Sequence, residues 1–134
     1  MKYNEQLLEI ITIAKTQLLA IDEVIFEEKL PNKWSKKEIL GHLIDSCFNN
    51  YLRFVKATEQ DNLIYLGYSQ DELVIKNQYQ KRKLEEIINT WFALNQQVCF
   101  FIENISDETL KRKTRYINTS EESVKLLAEE NKDT

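Results

Sequence analysis

The stretch from Trp34 to Val55 constrains the fold of this chain most, because it contains a clear helix start followed by sustained helical periodicity. Ser35 and Glu38 have the spacing of a capping box, in which each side chain accepts a hydrogen bond from the backbone N–H of the other residue. Trp34 and Ile39 occupy the positions of a hydrophobic staple around this box. The sequence therefore predicts a long helix that begins at Ser35.

The side chains of this helix divide into two faces when they are placed at the helical repeat. The apolar face is predicted to be core and contains Leu40, Leu43, Ile44, Cys47, Phe48, Tyr51, Phe54 and Val55. The opposite side is a polar strip of His42, Asp45, Ser46, Asn49 and Arg53, which includes the only histidine of the chain. Two interpretations of this strip are open, namely a groove that lines a ligand and a surface that is simply solvated.

Three further segments have helical periodicity, and they predict an all-α protein. The segments are Tyr3 to Phe26, Leu84 to Ile105, and a short last helix that starts at Thr119 or Ser120, where Thr119 and Glu122 have the spacing of a second capping box. Only 2 glycines and 1 proline interrupt the chain, which favours long helices with few connections. Between the predicted helices, Gln60 to Tyr68 lacks a helical period, and Lys111 to Asn118 is predicted to be a connector.

The motif Trp-Ser-x-x-Glu-Ile-Leu-Gly-His-Leu-Ile-Asp at 34–45, with Arg53 eleven residues after the histidine, resembles the second-helix motif of the DinB-like superfamily. The run Gly-Tyr-Ser-Gln-Asp at 67–71 is also similar to the crossover of that superfamily. The resemblance implies a DinB-like up-down four-helix bundle with a long crossover between helices 2 and 3. It also implies that His42 is the first of three metal-binding histidines, the other two forming an HxxxH pair on the last helix. That pair is absent here, and the predicted last helix is shortened.

The resemblance further implies an activity, because DinB-like proteins include metal-dependent hydrolases and transferases that use low-molecular-weight thiols. If this chemistry is retained, His42 would bind a divalent metal (Zn, Ni, Fe or Mn), and Asp45, Asn49 and Arg53 would line the groove beside it. A catalytic divalent site needs three protein ligands and an open position, so one histidine is not a site. We therefore favour a non-catalytic helical bundle with an incomplete metal site, with the DinB-type metalloenzyme as the alternative.

Composition limits the remaining possibilities. The length of 134 residues fits a single domain over 1–134, and the net charge of −4 with mixed signs argues against binding to nucleic acid or to an anionic membrane. The chain lacks an apolar signal segment, so we expect a cytoplasmic protein. Cys47 and Cys99 lie on apolar helix faces, and we expect both to be reduced core residues. A disulfide or a reactive thiol is the alternative for this pair. A shortened last helix would leave an apolar groove partly covered, which predicts a homodimer.

Overall fold

The computed structural model describes residues 3–59, 63–104 and 114–117, and it has the predicted all-α bundle architecture. The long helices are α1 (Tyr3–Leu19), α3 (Lys36–Glu59) and α5 (Leu84–Glu103), and the shorter elements are α2 (Glu23–Glu27), α4 (Gln70–Asn77) and a 3₁₀ turn (Tyr79–Lys81). None of the helices in the described part of the chain is both long and apolar enough to cross a membrane. The predicted last helix from Thr119 lies outside the described residues.

Helices α1 and α5 are packed antiparallel. Near the end of α1, the Lys15 ammonium lies 4.4 Å from the centre of the Phe92 ring in the middle of α5. Beyond the end of α1, Glu23 Oε1 accepts a hydrogen bond of 2.8 Å from the backbone N–H of Leu84, the first residue of α5. From Lys15 to Glu23 the chain advances toward its C-terminus, while the contacted residues of α5 move back from Phe92 to Leu84. Helices α1 and α5 therefore run in opposite directions.

Helices α3 and α5 run parallel. Leu43 and Trp91 line the same cavity near the start of both helices, and further along the rings of Tyr51 and Phe101 meet edge to face at 5.4 Å. Parallel neighbours need a long connection that returns the chain to its starting end. The segment between α3 and α5 supplies the long crossover that the resemblance to the DinB-like superfamily implies, and α4 lies in this segment.

The predicted start of α3 is confirmed in detail. Glu38 Oε1 accepts the backbone N–H of Ser35 at 3.0 Å, and Ser35 Oγ accepts the backbone N–H of Glu38 at 3.1 Å, which completes the capping box. The Ser35 hydroxyl also donates to Gln80 Oε1, and Lys29 Nζ donates to Glu38. The capping box therefore fixes the start of α3 and also connects it to the 3₁₀ turn.

The first predicted helix is wrong in one respect, because it is not continuous from Tyr3 to Phe26. Helix α1 ends at Leu19, and Asp22 starts the separate helix α2 by accepting the backbone N–H of Val24 at 3.0 Å. The apolar periodicity continues across this break, so the sequence pattern does not reveal it. A tertiary contact favours the break. The buried ammonium of Lys37 lies 3.2 Å from Glu23 and 3.1 Å from Glu27, which are the first and last residues of α2.

A small strand pair was not predicted. Strand β1 (Leu63–Leu66) pairs in parallel with β2 (Thr114–Ile117), in segments for which the sequence predicts only turns and a connector. The two strands follow α3 and α5 in the chain. The pair adds one ladder to the bundle without changing its class.

The core lies toward the starting ends of α3 and α5. Its buried side chains are Phe26, Leu40, Ile44, Val74, Tyr79, Leu84, Ile87 and Ile88. Five elements contribute to this list, including α4 and the 3₁₀ turn, so the crossover is packed into the bundle. Cys99 is buried, Cys47 is half-buried, and both are free thiols as predicted.

Candidate functional site

Asp45, a member of the polar strip, is held by the crossover. Its carboxylate oxygen Oδ1 accepts hydrogen bonds from the Tyr79 hydroxyl at 2.6 Å and from Asn77 Nδ2 at 2.9 Å. The Asp45 side chain is only 5% exposed, so α4 and the 3₁₀ turn cover it. Gln78, between the two donors, has a φ of 50°, and this left-handed conformation turns the chain from α4 toward α3.

Burial raises the pKa of the Asp45 carboxyl above its ordinary value of 3.8. The hydrogen bonds from Tyr79 and Asn77 and the proximity of His42 oppose this increase, but the loss of hydration is the larger effect. Burial raises the pKa of the Tyr79 hydroxyl, and its hydrogen bond to the Asp45 carboxylate raises this pKa further. Tyr79 therefore acts here as a hydrogen-bond donor.

Gly41 makes room for the Tyr79 ring. A Cβ atom on Gly41 would lie 2.1 to 2.7 Å from three carbon atoms of this ring, which is far inside van der Waals contact. Tyr79 is itself only 3% exposed, so its ring is packed in the core. Glycine within α3 thus allows the crossover to approach the helix closely enough for Tyr79 to reach Asp45.

His42, the predicted metal ligand, lies one turn before Asp45 and is half-buried. Its ring packs on Trp34 with centroids 5.0 Å apart and an angle of 36° between the planes. In the described part of the chain, neither His42 Nδ1 nor Asp45 Oδ2 has a hydrogen-bond partner, although both atoms are buried. Both atoms can supply a lone pair to a metal ion.

Asn49 and Arg53, the other predicted groove residues, lie further along α3 and line a separate polar cavity of about 200 Å³. Ser46, Asn50, Tyr68 and Gln70 complete its lining. Asp45 is not among these residues, because Tyr79 and Asn77 enclose it. The structure therefore divides the predicted strip into a buried carboxylate beside His42 and an open polar cavity.

The residues around His42 do not fit a complete divalent metal site. Among residues 3–59, 63–104 and 114–117, no three side chains of histidine, cysteine, aspartate or glutamate are grouped so that they could hold one ion. His42 and Asp45 offer at most one nitrogen and one oxygen, and a catalytic zinc site uses three protein ligands. One of the two Asp45 oxygens already accepts two hydrogen bonds.

Tyr79 and Asn77 are the site residues that the sequence did not reveal. They lie more than thirty positions after Asp45 in a segment without a strong apolar period, so no spacing connects them to it. One weak signal was present: Gly41 is one of only 2 glycines and falls inside a predicted helix, where glycine is unfavourable unless a close approach needs it.

Comparison with known proteins supports the fold and leaves the activity unassigned. No protein-family model matches the chain, and no curated protein sequence matches it. A solved structure is similar: YfiT from Bacillus subtilis, described as a probable metal-dependent hydrolase with an unusual four-helix bundle topology. The match has a TM-score of 0.70 and 12% sequence identity, and it covers 89% of this chain and 71% of YfiT.

This chain has the fold of YfiT. The DinB-like bundle that the motif around His42 predicts is therefore supported by the structure as well. At 12% identity the likeness establishes the fold alone, so membership of the DinB-like superfamily stays a prediction.

Proposed function

We propose that this chain is a DinB-like helical bundle of non-catalytic function, in which the metal site around His42 is incomplete. The observation that carries the proposal is the environment of His42 itself. Within the described residues, no grouping of three metal-binding side chains includes His42 and Asp45, and the Asp45 carboxylate is enclosed by Tyr79 and Asn77. Two ligands from one helix leave a divalent ion without the third protein ligand that catalytic sites use.

Metal analysis tests this proposal. We expect the chain, purified without chelator, to contain less than about a tenth of an equivalent of zinc, nickel, iron or manganese, because two ligands do not retain an ion through purification. Elemental mass spectrometry measures the content, and calorimetric titration with each ion measures uptake. The variant His42→Ala is the matched control, and any weak uptake should be the same in this variant as in the wild type.

A metal-dependent hydrolase or low-molecular-weight-thiol transferase of DinB type is the second candidate. Two observations favour it: the buried, unpartnered atoms His42 Nδ1 and Asp45 Oδ2 lie one helical turn apart, and YfiT is described as a probable metal-dependent hydrolase. About one tightly bound equivalent of metal that is lost in both His42→Ala and Asp45→Asn would contradict the first proposal and favour this candidate.

The variant Asp45→Asn also has an expected effect on stability that does not involve metal. Because the pKa of Asp45 is raised in the folded state, the folded chain binds this proton more tightly than the unfolded chain does. This tighter proton binding by Asp45 stabilises the folded chain below pH 3.8, and the stabilisation is lost as the pH rises through the raised pKa. The free energy of unfolding of the variant, relative to wild type, should therefore increase from about pH 4 upward in urea titrations. A difference that is constant with pH would contradict the raised pKa.

The homodimer stays a prediction. Phe48 and Leu52, one turn apart on α3, are each 49% exposed and offer apolar surface to a second copy. Light scattering in the micromolar range should give the mass of two chains, and a mass of one chain throughout this range would refute the dimer.

A further inference from the structure

The connection between α1 and α3 is held to the bundle by few apolar contacts. In residues 20–33, which include α2, Phe26 is the one buried side chain, and every other side chain in this range is exposed. Val24 and Ile25 on α2 are 67% and 42% exposed, so they contribute little to the core. Segments with few buried apolar contacts open more readily than the rest of a protein. We call residues 20–33 the strap.

Charged contacts of the strap converge on one buried cation. Lys37, near the start of α3, is only 2% exposed. Its ammonium nitrogen lies 3.2 Å from Glu23 Oε1 and 3.1 Å from Glu27 Oε1, and the backbone oxygen of Gln80 accepts a further hydrogen bond at 3.4 Å. An ammonium group has three N–H donors, so each of them has an acceptor. Two of the three acceptors, and both of the negative charges, belong to the strap.

Glu23 has a second contact at this end of the bundle. Its Oε1 also accepts the backbone N–H of Leu84 at 2.8 Å, at the start of α5. This hydrogen bond, and then the one from Lys37, lower the pKa of Glu23 below its ordinary value of 4.5, and Lys83 acts in the same direction. The anionic form of Glu23 is therefore the form that the folded chain favours.

We propose that the strap is an opening segment held closed by Lys37, and that it opens when Glu23 and Glu27 lose their charge. The ammonium would then remain charged in a buried position without an anion, which strongly destabilises a folded arrangement. Opening lets water reach the ammonium, and it costs the burial of a single phenylalanine. The other ion pair of the strap, Lys29 with Glu38, does not include Lys37 and so does not compensate its charge. This inference goes beyond the proposed function and rests on other side chains.

Opening of the strap changes the wall of the apolar cavity between α1, α3 and α5, which has a volume of about 440 Å³. Ile21 and Phe26 of the strap line this cavity together with residues of the three long helices, such as Leu18, Leu40 and Trp91. When the strap opens, this part of the wall is removed and apolar surface meets water. The strap thus couples the charge of two exposed carboxylates to access to the cavity.

The test is hydrogen exchange of backbone amides near neutral pH, followed by NMR. The strap amides to measure are those of Val24 and Ile25, which donate to the side chain and the backbone oxygen of Asp22 at 3.0 and 3.1 Å. The reference amides are those of Ile87 and Ile88 in α5, whose side chains belong to the buried core. The comparison separates opening of the strap from unfolding of the bundle.

Variants identify the charges that hold the strap. Glu23→Gln with Glu27→Gln removes both charges and retains oxygen atoms that can accept the same hydrogen bonds. We expect the strap amides to exchange at least about 10-fold faster than in the wild type, and the α5 amides to change by less than about 2-fold. Adding Lys37→Met should return the strap amides to within about 3-fold of the wild type, because the buried charge is then absent.

Glu28→Gln is the matched control. It removes a negative charge next to α2, but the ion pairs of Lys37 among the described residues are with Glu23 and Glu27. We expect this variant to leave exchange of the strap amides within about 2-fold of the wild type. Glu27→Gln alone leaves Lys37 one carboxylate and should give a smaller increase, of about 3-fold, so it tests the inference if the double variant does not fold.

Acid should open the strap of the wild type. Because the pKa of Glu23 is lowered in the folded state, its stabilising contribution is present above pH 4.5 and is lost as the pH falls through the lowered pKa. Protection of the strap amides, relative to that of the α5 amides, should therefore decrease below pH 4.5. The decrease should be smaller in Lys37→Met, in which one of the two hydrogen bonds that lower this pKa is absent.

Five results would overturn the inference. They are unchanged exchange of the strap amides in the Gln variants, equal acceleration of the strap and α5 amides, no recovery on adding Lys37→Met, the same acceleration in Glu28→Gln, and an equal effect of acid with and without Lys37. Equal acceleration would mean that the bundle unfolds as a whole. No recovery would mean that the two carboxylates hold the strap through groups other than Lys37. None of these results bears on the metal proposal.

Discussion

Replacing Gly41 by alanine is expected to lower the free energy of unfolding by about 3 kcal/mol. The added methyl group would lie 2.1 Å from a carbon of the Tyr79 ring, so the ring has to leave its place against α3. Displacement removes a buried aromatic side chain from the core and breaks its hydrogen bond to Asp45. This loss exceeds the gain of about 1 kcal/mol that alanine brings over glycine inside a helix. Urea unfolding followed by circular dichroism measures the change.

A double-mutant cycle provides the control for this prediction. In a Tyr79→Ala background the ring is absent, and Gly41→Ala should then stabilise the chain by up to about 1 kcal/mol through helix propensity alone. The sign of the Gly41→Ala effect thus reverses between the two backgrounds if contact with the ring is the cause. Equal destabilisation in both backgrounds would show that Gly41 is needed for another reason.

Tyr79→Phe is expected to lower the free energy of unfolding by about 2 kcal/mol at pH 7, although the ring and its packing are retained. The variant removes the hydroxyl that donates to Asp45 Oδ1 at 2.6 Å. Asn77 then remains as the donor to a carboxylate that is 5% exposed, and a buried charge with fewer hydrogen bonds is costly. The cost should be smaller at acidic pH, where Asp45 is protonated and has less need of a donor.

Tyr51→Phe is the matched control, because the Tyr51 ring also packs in the bundle, against Phe101, and no buried carboxylate depends on its hydroxyl among the described residues. We expect this control to change the free energy of unfolding by less than about 0.5 kcal/mol, with no dependence on pH. A cost of Tyr79→Phe that does not vary between acidic and neutral pH would argue against the hydrogen bond to Asp45 as its source.

Local signals were sufficient for α3 and α5 and for the start of α3. The capping box of Ser35 and Glu38 depends on atoms three residues apart, so it forms wherever the surrounding chain is helical. The periodicity of Leu84 to Ile105 likewise predicted α5, which ends at Glu103, two residues early. The break after Leu19 was missed because the apolar pattern continues through it, and the contact of Lys37 with Glu23 lies outside any local window.

The candidate site was predicted only in part. The sequence placed His42, Asp45, Asn49 and Arg53 on one strip of α3, because helical spacing alone determines which side chains share a face. It did not determine their surroundings. Asp45 is enclosed by Tyr79 and Asn77, while Asn49 and Arg53 remain at an open cavity.

The sequence by itself determined the all-α class, the start of α3 and the polar strip, since each depends on residues within a few positions of one another. Only the tertiary structure decided that Gly41 admits the Tyr79 ring and that Asp45 is buried. The physical reason is that the burial and the hydrogen bonds of Asp45 depend on residues that the crossover brings to it. The sequence pattern around Asp45 on α3 would be the same whether solvent or a tyrosine covered the carboxylate.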